Sequence, residues 1–289
     1  MIAEAEIRRL AGKLSVDPMV VNRDYVLGCF LHYLGTQDAV QESWVFKGGT
    51  ALAKCYFANF RFSEDLDFTL TRASTADELA SIADTAKAAM QDAIGIRTDE
   101  LATHVEVMND DYGKESFELK IYYGGPWPMG GSTPSLRIHT NRDEIIAFPT
   151  LRKPITHDYS DCDLLPKSTM SVYSLEEVFA EKLRAFSAQR RHAIARDVFD
   201  IYFLSSHKVD VQKAIGRFPD KCRIKGIEPG SIDFERILGR KGEYETNWER
   251  NLQYLLPRGP RVQFEPAWNT ASALLQKVRA AITETRSVR

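Results

Sequence analysis

Apolar and polar positions along the chain change their period several times. Residues 1–40 place Val20, Tyr25, Leu27, Phe30, Leu31 and Leu34 at spacings that share a helix face, predicting an N-terminal helical cover. The stretch SWVFKGGTALAKCYF then runs from a short apolar segment through Gly48 and Gly49 into helix formers, the pattern of strand, tight turn and helix. RFSEDLDFTL follows with period two: Phe62, Leu66, Phe68 and Leu70 fall on one face with Glu64 intruding, and Ser63, Asp65, Asp67 and Thr69 fall on the other. Residues 75–98 read as an Ala-rich helix, and VEVMND, SFELKIYYG and SLRIHTNRDEII as three further strands. Gly and Pro make GGPWPMGGSTP a connection.

From Ser174 onward the pattern is helical, and PITHDYSDCDLLPKST marks the change. The expected organisation is a mixed α/β domain over residues 1–165, including the helical cover, and a basic helical domain over 166–289. Ser174 and Glu177 have capping-box spacing. On a wheel from Leu175, Lys182 falls inside the stripe of Val178, Phe179, Leu183 and Phe186, so it must snorkel or serve a site that needs a cation. In the next helix, RDVFDIYFL, Asp197 lies between Ile201 and Leu204, whereas Asp200 points away from the apolar stripe. Asp197 is therefore the candidate to face a site, with a dipole interaction at a helix start as the plain alternative. Further on, GRKGEYE and LLPRGPRV suggest short helices joined by loops.

At 289 residues, 44% hydrophobic and 27% charged, the chain can bury a sizeable core. No apolar stretch is long enough for a membrane span, and the charged N-terminus lacks the apolar core of a signal peptide, so a cytoplasmic protein is expected. Cys29, Cys55, Cys162 and Cys222 are widely spaced and form no CxxC, which suggests neither a disulfide framework nor a zinc cluster. Charge is unevenly spread: residues 205–289 hold 16 Lys and Arg against 10 Asp and Glu, the preceding residues 22 against 30. A basic C-terminal region fits either an acidic partner such as RNA or a solvated helical surface.

Two features carry candidate chemistry. Gly48, Gly49 and Thr50 open a helix whose first N–H groups and dipole suit a phosphate, although a glycine pair is more often simply a turn. Asp65 and Asp67 on one strand face repel each other and call for a cation or solvent. Together, a phosphate cradle and a carboxylate pair suit a Mg²⁺-bound nucleoside triphosphate.

FKGGTAL (46–52), RFSEDLDF (61–68), AEKLRAF (180–186) and RDVFDIYFL (196–204), in this order, resemble the AbiEii/AbiGii family of nucleotidyltransferase-type toxins, which includes the MenT toxins. The resemblance runs from about residue 40 to 205. It implies an α+β fold, a polymerase-β-like nucleotidyltransferase core with a helical C-terminal region. It also implies a Mg²⁺-dependent toxin with a separately encoded antitoxin, which transfers a nucleotide from a nucleoside triphosphate to RNA, the tRNA 3′ end in the best-known relatives. Carried onto this sequence, the pattern makes Ser63 and Asp65 the signature core, Asp67 the second metal carboxylate, Lys182 the phosphate-contacting lysine and Asp197 the C-terminal acidic residue. Polymerase-β-like enzymes commonly carry a third metal carboxylate on a later strand. Here SLRIHTN offers Arg137 and His139, and Glu118 is another candidate, so two carboxylates alone are also possible.

The expected reaction is attack by an RNA hydroxyl on the α-phosphate, with Asp65 and Asp67 on Mg²⁺, Gly48, Gly49 and Thr50 on phosphate oxygens, and Lys182 neutralising charge. Lys221, Arg223, Lys225, Arg240 and Lys241 are expected to hold the RNA backbone. The alternatives are NTP-dependent modification of protein, including Ser63 itself, and a non-catalytic RNA- or partner-binding module.

Overall fold

The structure is a computed structural model that describes the chain except residues 59, 100–102, 110–114, 129–132, 143, 190–191, 259–261 and 288–289. Residues 129–132 of the predicted connection GGPWPMGGSTP, 259–261 of LLPRGPRV, and residues 110 and 143 in the predicted strands VEVMND and SLRIHTNRDEII lie outside the described residues. The chain forms two compact units: residues 1–142, 150–172 and 255–258, and residues 143–149, 173–254 and 259–289.

The first unit opens with three helices, α1 (Glu4–Leu14), α2 (Pro18–Leu34) and α3 (Asp38–Ser43). Strand β1 (Trp44–Lys47), helix α4 (Gly48–Cys55), strand β2 (Asp65–Leu70) and helix α5 (Ala76–Ile94) follow. The remaining strands are β3 (Arg97–Thr98), β4 (His104–Asn109), β5 (Glu115–Gly124), β6 (Ser135–Asn141), β7 (Leu151–Pro154) and β8 (Thr169–Val172). They form one mixed sheet ordered β3-β5-β6-β2-β1-β8-β7, with β4 also on β5. β1 runs antiparallel to β2 and parallel to β8, while β2 runs parallel to β6.

The β2 alternation places Leu66, Phe68 and Leu70 in the core at 0–2% exposure and leaves Asp65 and Asp67 half-buried on the other face. Glu64, the acidic intruder, is neutralised by Arg23, whose Nη1 lies 2.5 Å from its carboxylate. Helix α2 differs from the predicted one-faced cover, being buried from Tyr25 through Leu34 on all sides. That is the behaviour of a helix inside a core rather than on it. Thr75 and Glu78 close a reciprocal capping box that starts α5.

The second unit is helical. It contains α6 (Leu175–Arg184), which continues into a π-helical turn over Ala185–Gln189, then α7 (Ala195–Ser205) and α8 (Val211–Arg223). Helices α9 (Phe234–Leu238), α10 (Lys241–Asn251) and α11 (Phe264–Ser287) complete it. Its core centres on Phe186, Tyr244 and Trp268, with ring centroids 5.3–5.9 Å apart. Ser174 caps α6 by accepting the Glu177 N–H at 3.2 Å. The reciprocal half of the expected box is absent, because the Glu177 carboxylate accepts from the Phe148 N–H at 2.7 Å and pairs with Lys221. Among the described residues no helix is long and apolar enough to cross a membrane.

Candidate active site

The β1–β2 register sets the geometry of the first unit's candidate site. Lys47 lies opposite Asp67, so the chain leaves β1 beside the second carboxylate of the signature. Gly48 makes the turn with φ +77°, a left-handed conformation that glycine adopts without steric cost. A Cβ there would run into the Asp67 carboxylate as well as straining the backbone. At Gly49, a Cβ would lie 3.0 Å from the Ser63 hydroxyl and 2.5 Å from Nη2 of Arg61. The two missing side chains thus make room for Asp67, Ser63 and Arg61 around the first turn of α4.

Thr50 ties this turn to the signature strand. Its hydroxyl donates to the Asp65 carbonyl at 2.5 Å and the residue is 1% exposed, so the backbone N–H is the group it would offer a phosphate. The loop before β2 is pinned as well: the Phe62 N–H donates to the Leu255 carbonyl at 2.8 Å, and Leu255 belongs to the same unit. Gly48, Gly49, Thr50, Ser63, Asp65 and Asp67 therefore converge on the strand–turn–helix junction.

The neighbouring strands carry the remaining candidates. Across the sheet Asp67 aligns with His139 and then Glu118, and Asp65 aligns with Arg137 and then Lys120. Glu118 accepts from Lys120 at 2.9 Å and lies 3.6 Å from His139 Nδ1. Burial pushes the Glu118 carboxyl up, but the Lys120 hydrogen bond and the surrounding charges outweigh it and hold the group below the usual carboxylate range. Glu118 is thus ionised and shared between Lys120 and His139. Among the described residues no three His, Cys, Asp or Glu side chains gather as a metal-binding group. The paired carboxylates suit a divalent cation that takes its other ligands from phosphate and water.

The second unit assembles its own charged group. Lys182 Nζ on α6 lies 2.9 Å from Asp197 and 2.8 Å from Asp200 on α7. The two carboxylates are 2% and 0% exposed. Asp197 faces the lysine as the wheel suggests, but Asp200 does so too. The reason is that α7 buries Val198, Phe199, Ile201 and Leu204 around much of its circumference, so the side opposite its main stripe is interior rather than solvent. Spacing of i and i+3 brings two carboxylates to one face, and the DVFD spelling was the signal that could have found the second.

The predicted RNA-facing lysines need correction. Lys221 has no exposed side-chain surface: it pairs with Glu177 and Glu181, donates to the Ile145 carbonyl and sits 5.3 Å from the Tyr173 ring centroid. Lys225, 2% exposed at its side chain, pairs with Glu144 at 3.1 Å. Both serve the core of their unit, whereas Arg223 and Lys241 remain 48% and 40% exposed.

Such a strand–glycine turn–helix–strand unit with two carboxylates is the arrangement expected of a nucleotidyltransferase-type site. Residues 33–274 match the family of AbiEii nucleotidyl transferase toxins of type IV toxin–antitoxin systems, and the chain belongs to that family. Among solved structures it is similar to MenT4, a nucleotidyltransferase toxin of Mycobacterium tuberculosis H37Rv, with 19% identity and a TM-score of 0.65 over 96% of this chain and 90% of that one. It is also similar to JHP933 from Helicobacter pylori, with 17% identity and a TM-score of 0.54 over 94% and 97% of the two chains. No curated protein matches. The expected α+β nucleotidyltransferase fold is the observed one.

Proposed function

We propose that the chain is a toxin that transfers a nucleoside monophosphate from a nucleoside triphosphate to an RNA hydroxyl, with the tRNA 3′ end as acceptor and a block to translation as the consequence. The observation that carries this reading is the glycine turn packed against Asp67 and Ser63, which joins an anion cradle to a carboxylate pair. In the reaction, an RNA hydroxyl oxygen forms a bond to the α-phosphorus, the bond to the bridging oxygen breaks, and pyrophosphate leaves. The backbone N–H groups of Gly48, Gly49 and Thr50 hold phosphate oxygens, and Ser63 offers its hydroxyl beside them. Asp65 and Asp67 would hold Mg²⁺, which when bound supplies positive charge against the phosphates. The family pattern gives Lys182 the phosphate contact, and Asp197, its partner at 2.9 Å, orients the lysine or takes the hydroxyl proton. A cognate antitoxin and a cytoplasmic location complete the proposal.

The Ser63 hydroxyl at the same turn also favours a second reading, nucleotide transfer to Ser63 or to another protein. Incubating the purified chain with total RNA, Mg²⁺ and each α-labelled nucleoside triphosphate, with Asp65→Ala in parallel, separates the two. The leading reading expects label in an RNA band from the unmutated chain alone. Label confined to protein supports the second, and label in RNA from Asp65→Ala rejects the carboxylate assignment.

A further inference from the structure

We propose that Arg61 is a triphosphate-positioning residue of this site, a role resting on the reading of the glycine turn as a phosphate cradle. Arg61 is 2% exposed, and burying a guanidinium is costly unless it is well held. Its Nη1 donates to the Phe62 carbonyl at 3.1 Å, and its Cζ lies 5.2 Å from the Phe60 ring centroid. These contacts fix the plane of the group. Its other end is pressed to the first turn of α4, with Nη2 2.5 Å and Cζ 3.1 Å from the position of a Gly49 Cβ.

That end of a helix carries the positive pole of its dipole, so the sign of the charge there is the wrong one for helix stability alone. Lys47, 7% exposed, immediately precedes the same turn. Lys47 and Arg61 thus stand with the helix N-terminus beside the Asp65–Asp67 pair, where a guanidinium fork can meet the oxygens of a phosphate bound on the turn. The Arg61 fork and the Ser63 hydroxyl both lie within about 3 Å of the place a Gly49 Cβ would take, so they share the space beside the turn. Gly49 is then required for a further reason: an alanine there would displace the guanidinium.

Arg61 also forms part of the wall of a cavity of about 250 Å³ lined by Lys13, Asp24, Lys54, Phe60 and Tyr159 among others, all in the first unit. This cavity gives a small guanidine a route to the position that Arg61→Ala would vacate.

The test measures KM for the nucleoside triphosphate and kcat for label transfer, together with calorimetric binding of inorganic triphosphate, in the full chain, Arg61→Ala and Arg61→Lys. Losing a charge-assisted contact is expected to raise KM and weaken triphosphate binding about tenfold or more, with a smaller change in kcat. Arg61→Lys should recover only part of the loss, and methylguanidinium should restore Arg61→Ala while leaving the unmutated chain unchanged. A folded Arg61→Ala with KM and triphosphate affinity within twofold of the unmutated chain overturns the proposal. Should Arg61→Ala not fold, Arg61→Lys decides, and unchanged triphosphate affinity in it overturns the proposal equally. Absence of triphosphate binding by the unmutated chain also overturns it. Arg61-dependent triphosphate binding without label transfer would uphold it while rejecting RNA transfer, and transfer indifferent to Arg61 would do the reverse.

Discussion

Gly48 shows how one backbone angle can carry a site. Its φ of +77° and its contact with the Asp67 carboxylate leave no room for a Cβ. Gly48→Ala is expected to cost about 1–3 kcal/mol of stability, read from denaturant midpoints, and to cut label transfer more than that loss of folded protein explains. Equal activity per folded molecule would contradict the placement of Asp67. His157 supplies a second residue-scale prediction. Burial, followed by the charge of Lys54, pulls its pKa down from 6.5 to about 3 against the opposing charge of Asp24. Between those values the unfolded chain binds a proton that the folded chain does not, so stability falls as pH drops from about 6.5 towards 3. His157→Gln should flatten that slope in urea unfolding between pH 7 and 5, and an unchanged slope would contradict the assignment.

At the scale of elements, the Lys182 group joins α6 to α7. Lys182→Met leaves Asp197 and Asp200 buried without the lysine and is expected to destabilise the chain by about 3–5 kcal/mol, a loss that Asp200→Asn combined with it should reduce in a double-mutant cycle. Additive effects would show that the pair does not act as a unit. Likewise Lys221→Ala, which leaves Glu177 buried without its cation, should cost about 3–5 kcal/mol. The exposed Arg223→Ala should stay within about 0.5 kcal/mol, and thermal unfolding distinguishes the two. The strand–turn–helix–strand unit was legible in the sequence because Phe62 to Leu70 alternates long enough to set a face and Gly48–Gly49 marks the turn. Strands β7 and β8 were not, since four residues each carry too little periodicity, and their order in the sheet depends on partners far along the chain. Asp200 was misread because a helical wheel assumes one wet side, and α7 sits among neighbours that bury polar positions as well; Lys221 was misread because a count of basic residues does not show which of them are buried on α8. Arg61 escaped notice because nothing local says that an arginine before a signature strand folds back onto the preceding helix.

For the whole molecule, net charge is a poor guide to an RNA surface. The C-terminal excess of basic residues includes Lys221 and Lys225, whose charges are spent on Glu177, Glu181 and Glu144 within one unit. Family membership fixes the class of protein, and transfer to RNA is the claim on which the account stands or falls. Its most direct test is the rate of α-label transfer into RNA by the unmutated chain and by Asp65→Asn, which keeps the side-chain shape and removes the charge. The account predicts a loss of about a thousandfold or more with the melting temperature nearly unchanged. A folded Asp65→Asn that labels RNA at the unmutated rate would contradict it.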